Sequence, residues 1–79
     1  MENVFEVGTY NFYGEIRECI TIRRKPSQIP YRIDLSLMKI GCMGHMNGPE
    51  NYCSYVFFDG ERAKKGIQFM LDCGWKQKE

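Results

Sequence analysis

The clearest metal-binding pattern in the sequence is the pair Cys42-x-x-His45, which stands in a glycine-rich segment. Two further thiols, Cys53 and Cys73, follow it along the chain. Zinc prefers thiolate and imidazole ligands in a tetrahedral set, and glycines let a loop bend two ligands onto one ion. The spacing departs from that of a zinc finger or ribbon, because there is no second close pair of ligands. A zinc site at these four residues is therefore only an alternative, and no metal or other cofactor is predicted.

The cysteines have two further interpretations. The first residues show neither a basic region nor an apolar region of a secretion signal, so reduced thiols, some of them buried, are the expected state. A disulfide between Cys42 and Cys53 would need an oxidising compartment. Nucleophilic catalysis by either thiol would need His45 as a base and a third group to orient it, and no such group is evident. The chain is predicted not to be an enzyme.

A second group of candidates is basic and is predicted to gather at one end of a β-hairpin: Arg17, Arg23, Arg24, Lys25 and Arg32. Such a surface would contact nucleic-acid backbone or an acidic protein surface. The alternative is a solvated hairpin end, where basic side chains also deter pairing between sheet edges. The net charge of +1 argues against a dedicated nucleic-acid binder, whose affinity rests on many phosphate contacts.

A third group is aromatic and exceeds what a small core holds: Tyr10, Phe12, Tyr13, Tyr52, Tyr55 and Phe69. Aromatic side chains and arginine are enriched at protein interfaces. Phe69 falls roughly 100° from the apolar stripe of a predicted helix, so it is either an anchor for a partner or a cap on the core. The predicted partner-binding residues are Tyr13, Arg17, Arg23, Arg24, Lys25, Arg32, Tyr55 and Phe69.

Residues 52–75 are predicted to form a strand, a tight turn and a helix around which the rest is organised. Asp59 fits the helix N-cap. Gly74 is expected in the left-handed region after the helix, with Trp75 packing back on Met70. The apolar positions follow the helical spacing i, i+3, i+4, i+7, i+8, at Ala63, Gly66, Ile67, Met70 and Leu71.

Upstream, alternating apolar residues predict strands at 14–24 and 31–39, which are predicted to pair as a hairpin. Residues 4–10 are predicted to form a short edge strand or a bulged start, because Gly8 interrupts their β-branched and aromatic residues. Glycine, proline and asparagine predict a loop at 41–51. The expected fold is α+β, with an antiparallel sheet of three to four strands and one C-terminal α-helix packed on one face. One domain is expected over 1–79, with a frayed tail at 76–79.

The layout of short strands followed by FFDGERAKKGIQFML as a final strand, turn and helix resembles small phage-encoded anti-defence proteins of the anti-CRISPR type. The resemblance covers size and layout and carries no motif, so no residue role transfers. It implies a non-enzymatic inhibitor that acts by steric contact on a larger protein or ribonucleoprotein complex in the bacterial host cytoplasm. No apolar run reaches about 18 residues, so no membrane partner is expected. The predicted function is a protein-binding module; the alternatives are a nucleic-acid-binding accessory protein and a zinc-stabilised structural domain.

Overall fold

The computed structural model describes residues 3–47 and 52–78, apart from the side chains of 45–47. The elements within these residues are β1 Val4–Phe12, β2 Glu15–Ile22, a 3-10 turn Pro26–Gln28, α1 Tyr31–Ile40, β3 Cys42–Asn47, β4 Cys53–Phe57, α2 Gly60–Asp72 and β5 Lys76–Gln77. The strands form a mixed sheet in the order β3-β4-β2-β1-β5. The predicted α+β class is confirmed. The predicted details are wrong, because the described residues form five strands, β5 pairs in parallel with β1, and a second helix precedes β3.

The sheet is built from two crossover connections that each skip at least one strand. Helix α1 connects β2 to β3, which run parallel with β4 between them. Helix α2 connects β4 to β5, with β2 and β1 between them. These are split β-α-β connections. The core lies between the two helices and one face of the sheet, and no helix of the described residues covers the other face.

Residues 31–40 form a helix, although their apolar side chains alternate as in a strand. Ile33, Leu37 and Ile40 also satisfy the helical spacing i, i+4, i+7. Ile33 and Leu37 are buried, and Ile40 packs against the core. Gly41, at φ 113°, ends the helix in the left-handed conformation, as is common for glycine at this position. The short apolar run is compatible with both periods, and packing on the sheet selects the helix.

The hairpin therefore joins β1 to β2, and the predicted pairing of 14–24 with 31–39 is wrong. The antiparallel register is continuous from Phe5–Ile22 to Phe12–Glu15. Gly8 consequently lies within a regular ladder rather than at the bulge that the sequence suggested.

Two predicted irregular segments contain strands. Residues 42–47 of the predicted loop form the edge strand β3, which has an irregularity between Met43 and His45; residues 48–51 of that loop lie outside the described residues. At the C-terminus, β5 pairs in parallel with β1, and Lys78 N donates to Phe5 O at 2.8 Å. The predicted fraying is therefore wrong for 76–78, because backbone hydrogen bonds attach this segment to β1.

The caps of α2 lie where the sequence predicts them. Asp59 Oδ1 accepts a hydrogen bond from Arg62 N at 2.8 Å. Gly74 has φ 88°, and Trp75 N donates to Met70 O at 3.0 Å, which completes a Schellman motif. Trp75 is buried in the core. No helix of the described residues is long and apolar enough to cross a membrane.

The buried face of α2 is narrower than the apolar spacing predicts. Ala63, Gly66 and Met70 are buried, whereas Ile67 is half-buried. Leu71 is 42% exposed, so its predicted burial is wrong. It lies roughly 100° around the helix from Met70, beyond the edge of the contact with the sheet.

Candidate functional site

The β1–β2 hairpin extends beyond the rest of the sheet. Strand β4 pairs with β2 only from Cys19 to Ile22, so the described strands pair residues 9–18 only with one another. The last pair is Phe12 with Glu15, which leaves a turn of two residues, Tyr13 and Gly14. We call residues 11–17 the hairpin tip.

The turn holds Tyr13 in a conformation that tyrosine disfavours. Tyr13 has φ 50° and Gly14 has φ 88°, and positive φ at both positions is the requirement of a type I′ turn, for which Asn-Gly is the preferred sequence. A non-glycine residue in this region costs on the order of 1 kcal/mol. The Tyr13 side chain is 92% exposed, so burial in the core does not offset this cost. Such outliers cluster at binding sites.

Tyr13 begins a line of aromatic and arginine side chains that we call the aromatic–arginine row: Tyr13, Phe12, Arg17, Phe58 and Arg62. The Tyr13 and Phe12 rings meet edge to face, with centroids 4.5 Å apart. The Arg17 guanidinium lies 5.1 Å from the Phe12 centroid and 5.8 Å from that of Phe58. The Arg62 guanidinium lies 5.3 Å from the Phe58 centroid. At exposed sites each such contact contributes about 0.5–1 kcal/mol, and together they hold the hairpin against the start of α2.

The polar groups of the tip bond to one another. Arg17 Nη2 donates to Glu15 Oε2 at 2.6 Å, and Arg17 Nη1 donates to Phe58 O at 3.4 Å. Gly14 N donates to Asn11 Oδ1 at 2.9 Å. The charges of Arg17 and Glu15 therefore neutralise each other at the tip, next to its apolar side chains.

The fold disperses the predicted basic set. Arg17 belongs to the hairpin tip, whereas Arg23 lies at the opposite end of β2, with Arg24 and Lys25 directly after it. Arg32 lies on α1 because residues 31–40 are helical. The expectation that these five residues share one end of a hairpin is therefore wrong.

At the far end of β2, two cations share one carboxylate. Arg23 Nη2 lies 2.9 Å from Glu6 Oε1, and Lys78 Nζ lies 3.0 Å from the same oxygen. The hydrogen bond from Lys78, aided by the charge of Arg23 and opposed by desolvation, lowers the pKa of the Glu6 carboxyl. Glu6 therefore pairs with both cations in a three-residue ion cluster, which keeps a net charge of +1.

Two predicted partner-binding aromatics belong to the core. Tyr55 is 0% exposed, and its hydroxyl donates to Asp34 Oδ1 at 2.7 Å; burial, and then this hydrogen bond, raise the pKa of Tyr55. A side chain without exposed surface does not contact a partner, so the prediction for Tyr55 is wrong. Phe69 is half-buried and packs against the core, as its core-capping alternative describes.

The cysteines are free thiols. Cys42 is paired with Phe57, and Cys53 with Asn47, in the β3–β4 ladder. The two cysteines therefore lie at opposite ends of the strand pair, roughly 13 Å apart, whereas a disulfide needs Cα atoms within about 7 Å. The alternative of a Cys42–Cys53 disulfide is wrong. No group of three or more metal-binding side chains occurs among those described, and the side chain of His45 lies outside them.

Burial raises the pKa of the Cys42 thiol to about 12. An unfolded cysteine ionises near about pH 8.5, so the folded state retains this proton to higher pH. The protonated Cys42 thiol therefore makes its full contribution to the free energy of unfolding below the pKa of the unfolded state. This contribution decreases between roughly pH 9 and pH 12, by about 1.4 kcal/mol per pH unit. We expect urea denaturation to give a lower free energy of unfolding at pH 10 than at pH 8. Cys42→Ala should show a smaller decrease, and an equal decrease in both proteins would contradict this assignment.

Sequence reasoning missed three residues of this region. Phe58 and Arg62 complete the aromatic–arginine row, and Ile16, which is 68% exposed, lies on the opposite face of the tip. The Tyr13-Gly14 pair between two alternating segments is the signal that indicates a two-residue hairpin turn. Once that turn is assigned, the register determines which residues share each face.

The chain matches no protein-family model, no curated protein and no solved structure. The function of the tip is therefore inferred from its own contacts, exposure and charge.

Proposed function

We propose that this chain is a small non-enzymatic protein-binding module that docks through the hairpin tip and the adjoining aromatic–arginine row. The observation that carries the proposal is Tyr13, an almost fully exposed aromatic residue held at positive φ at the apex of the hairpin. Tyrosine and arginine dominate the energetic hot spots of protein interfaces. The contacts of Phe12 and Arg17 orient the tip before binding, which reduces the entropy lost on association.

The partner class to test first is a bacterial defence complex, because of the resemblance to phage anti-defence proteins. In that role the module is an inhibitor that covers a surface which the complex needs, within the host cytoplasm. The ion pair between Arg17 and Glu15 favours a protein surface over a phosphate backbone, since phosphates would have to displace the carboxylate from the guanidinium.

The substitution Tyr13→Asn separates binding from folding. Asparagine tolerates positive φ, and Asn-Gly is the preferred type I′ pair, so we expect the free energy of unfolding to stay equal or rise. Immobilised wild-type chain should capture a stoichiometric partner from bacterial host lysate, and the variant should capture much less. Thr9→Ala, an exposed change in the same hairpin outside the tip, should capture as much as wild type. Equal capture by Tyr13→Asn would remove the tip from the proposal.

A second candidate is a nucleic-acid-binding accessory protein, which the aromatic–arginine row favours because aromatic rings and guanidinium planes both stack on bases. Phe58 is 44% exposed and has an arginine on either side. Binding of this kind weakens steeply with salt. A gel-shift experiment with single-stranded DNA and RNA at low ionic strength tests it, and the absence of any shifted species would eliminate it.

A further inference from the structure

We propose that the hairpin tip inserts into an apolar cleft of the partner protein, so that both faces of the hairpin are in contact. This inference rests on the proposed function and specifies the partner surface: a concave site lined by apolar side chains and wide enough for a two-stranded ribbon. The alternative is one-sided docking, in which the aromatic–arginine row lies on a flat surface and the opposite face stays in water.

Apolar side chains occupy both faces of the tip. Phe12 pairs with Glu15, and Asn11 pairs with Ile16, so Phe12 and Ile16 point to opposite faces. Ile16 is 68% exposed and is not part of the core, because the hairpin extends beyond the helices at this position. An exposed isoleucine on the second face contributes nothing to one-sided docking, whereas in a cleft it is buried together with Phe12 and Tyr13.

The polar groups of the tip already have partners within the tip, which lowers the cost of removing them from water. Asn11 Oδ1 accepts from Gly14 N, and Glu15 is paired with Arg17. Burial of an isolated charge is costly, and a partner within hydrogen-bonding distance offsets part of that cost. The tip can therefore be desolvated without leaving a lone charge inside the cleft.

Glu18 limits the depth of insertion. It follows Ile16 by two residues on the same face, about 7 Å further from the apex. Its side chain is exposed, and no ion pair of Glu18 occurs among the described residues. Desolvation of this carboxylate would be unfavourable, so the edge of the cleft should lie between Ile16 and Glu18, roughly 10 Å from the apex.

The test uses the partner protein that the wild-type chain captures from host lysate, purified and titrated calorimetrically with four variants. Tyr13→Asn should weaken affinity by at least about 30-fold, the effect of a hot-spot residue. Ile16→Thr, which retains β-branching but removes apolar surface, should weaken it by about 10-fold. Thr9→Ala and Glu18→Gln, which lie outside the proposed cleft, should remain within about 3-fold of wild type. Thermal unfolding of each variant checks that it is folded.

The outcomes distinguish failure of insertion alone from failure of the proposed function. A loss with Tyr13→Asn and none with Ile16→Thr would overturn insertion and leave a one-sided protein-binding module. Wild-type affinity of both variants would overturn insertion and the proposed docking surface together. Failure to capture any protein, or capture of nucleic acid alone, would overturn both proposals.

Discussion

Met70→Ala should lower the free energy of unfolding by about 2–5 kcal/mol, the usual cost of removing a large core side chain. Met70 is 0% exposed and lies on the face of α2 that packs in the core. Alanine would remove its contacts with the sheet and leave a cavity. A domain of 79 residues has roughly 4–12 kcal/mol of total stability, so the variant should lose a large share of it. Equilibrium urea denaturation measures the change.

The matched control is the next residue of the same helix. Leu71 is 42% exposed, so Leu71→Ala removes side-chain volume of similar size largely from solvent and should cost less than about 1 kcal/mol. Equal losses at Met70 and Leu71 would contradict the orientation of α2 on the sheet.

Gly66→Ala should lower the free energy of unfolding by about 1–3 kcal/mol, the range typical of overpacked cores. A Cβ atom at this position would lie 2.3 Å from Cε1 and 2.4 Å from Cζ of Phe57. Phe57 is 1% exposed, so its ring has little space into which to move. The predicted sign is informative, because alanine normally stabilises the interior of a helix by up to about 1 kcal/mol relative to glycine.

Gly60→Ala is the control for this substitution. It lies in the same helix, and a Cβ atom there meets nothing within 4 Å. We expect an unchanged or slightly higher free energy of unfolding by urea denaturation. If Gly66→Ala also proved stabilising, the close approach of α2 to Phe57 would be wrong.

Residues 52–75 could be predicted because their signals are local. Asp59 caps the helix through its own first turn, and Gly74 ends it through its own backbone conformation. Neither of these signals depends on the order of the strands in the sheet. The two crossover connections have no such local signal, since they depend on pairing between segments far apart in the chain.

Residues 31–40 show why local pattern failed elsewhere. Ile33 and Leu37 are four residues apart, which satisfies both the period of a strand and that of a helix. This error affects the rest of the predicted sheet, because a strand at 31–39 is predicted to pair with residues 14–24, which places residues 4–10 at an edge. The same error placed Arg32 beside Arg17 in a single basic surface.

The candidate site was partly predictable. Tyr13 and Arg17 were identified from aromatic excess and charge, and the structure places both at the hairpin tip. The prediction for Tyr55 is wrong because both faces of a strand at residues 52–58 carry aromatic residues, and only the position of the helices determines which face is covered. Ile16 is 68% exposed, which its local pattern does not predict, because this exposure follows from the length of the hairpin relative to the helices.

The most direct test of the proposed docking surface is the affinity of Tyr13→Asn for the purified partner, measured beside its free energy of unfolding. We expect affinity at least about 30-fold weaker than wild type, with stability equal to wild type or higher. That combination would show that Tyr13 contributes to binding and does not stabilise the turn. Affinity within about 3-fold of wild type in an equally stable variant would contradict the assignment of the hairpin tip as the docking surface.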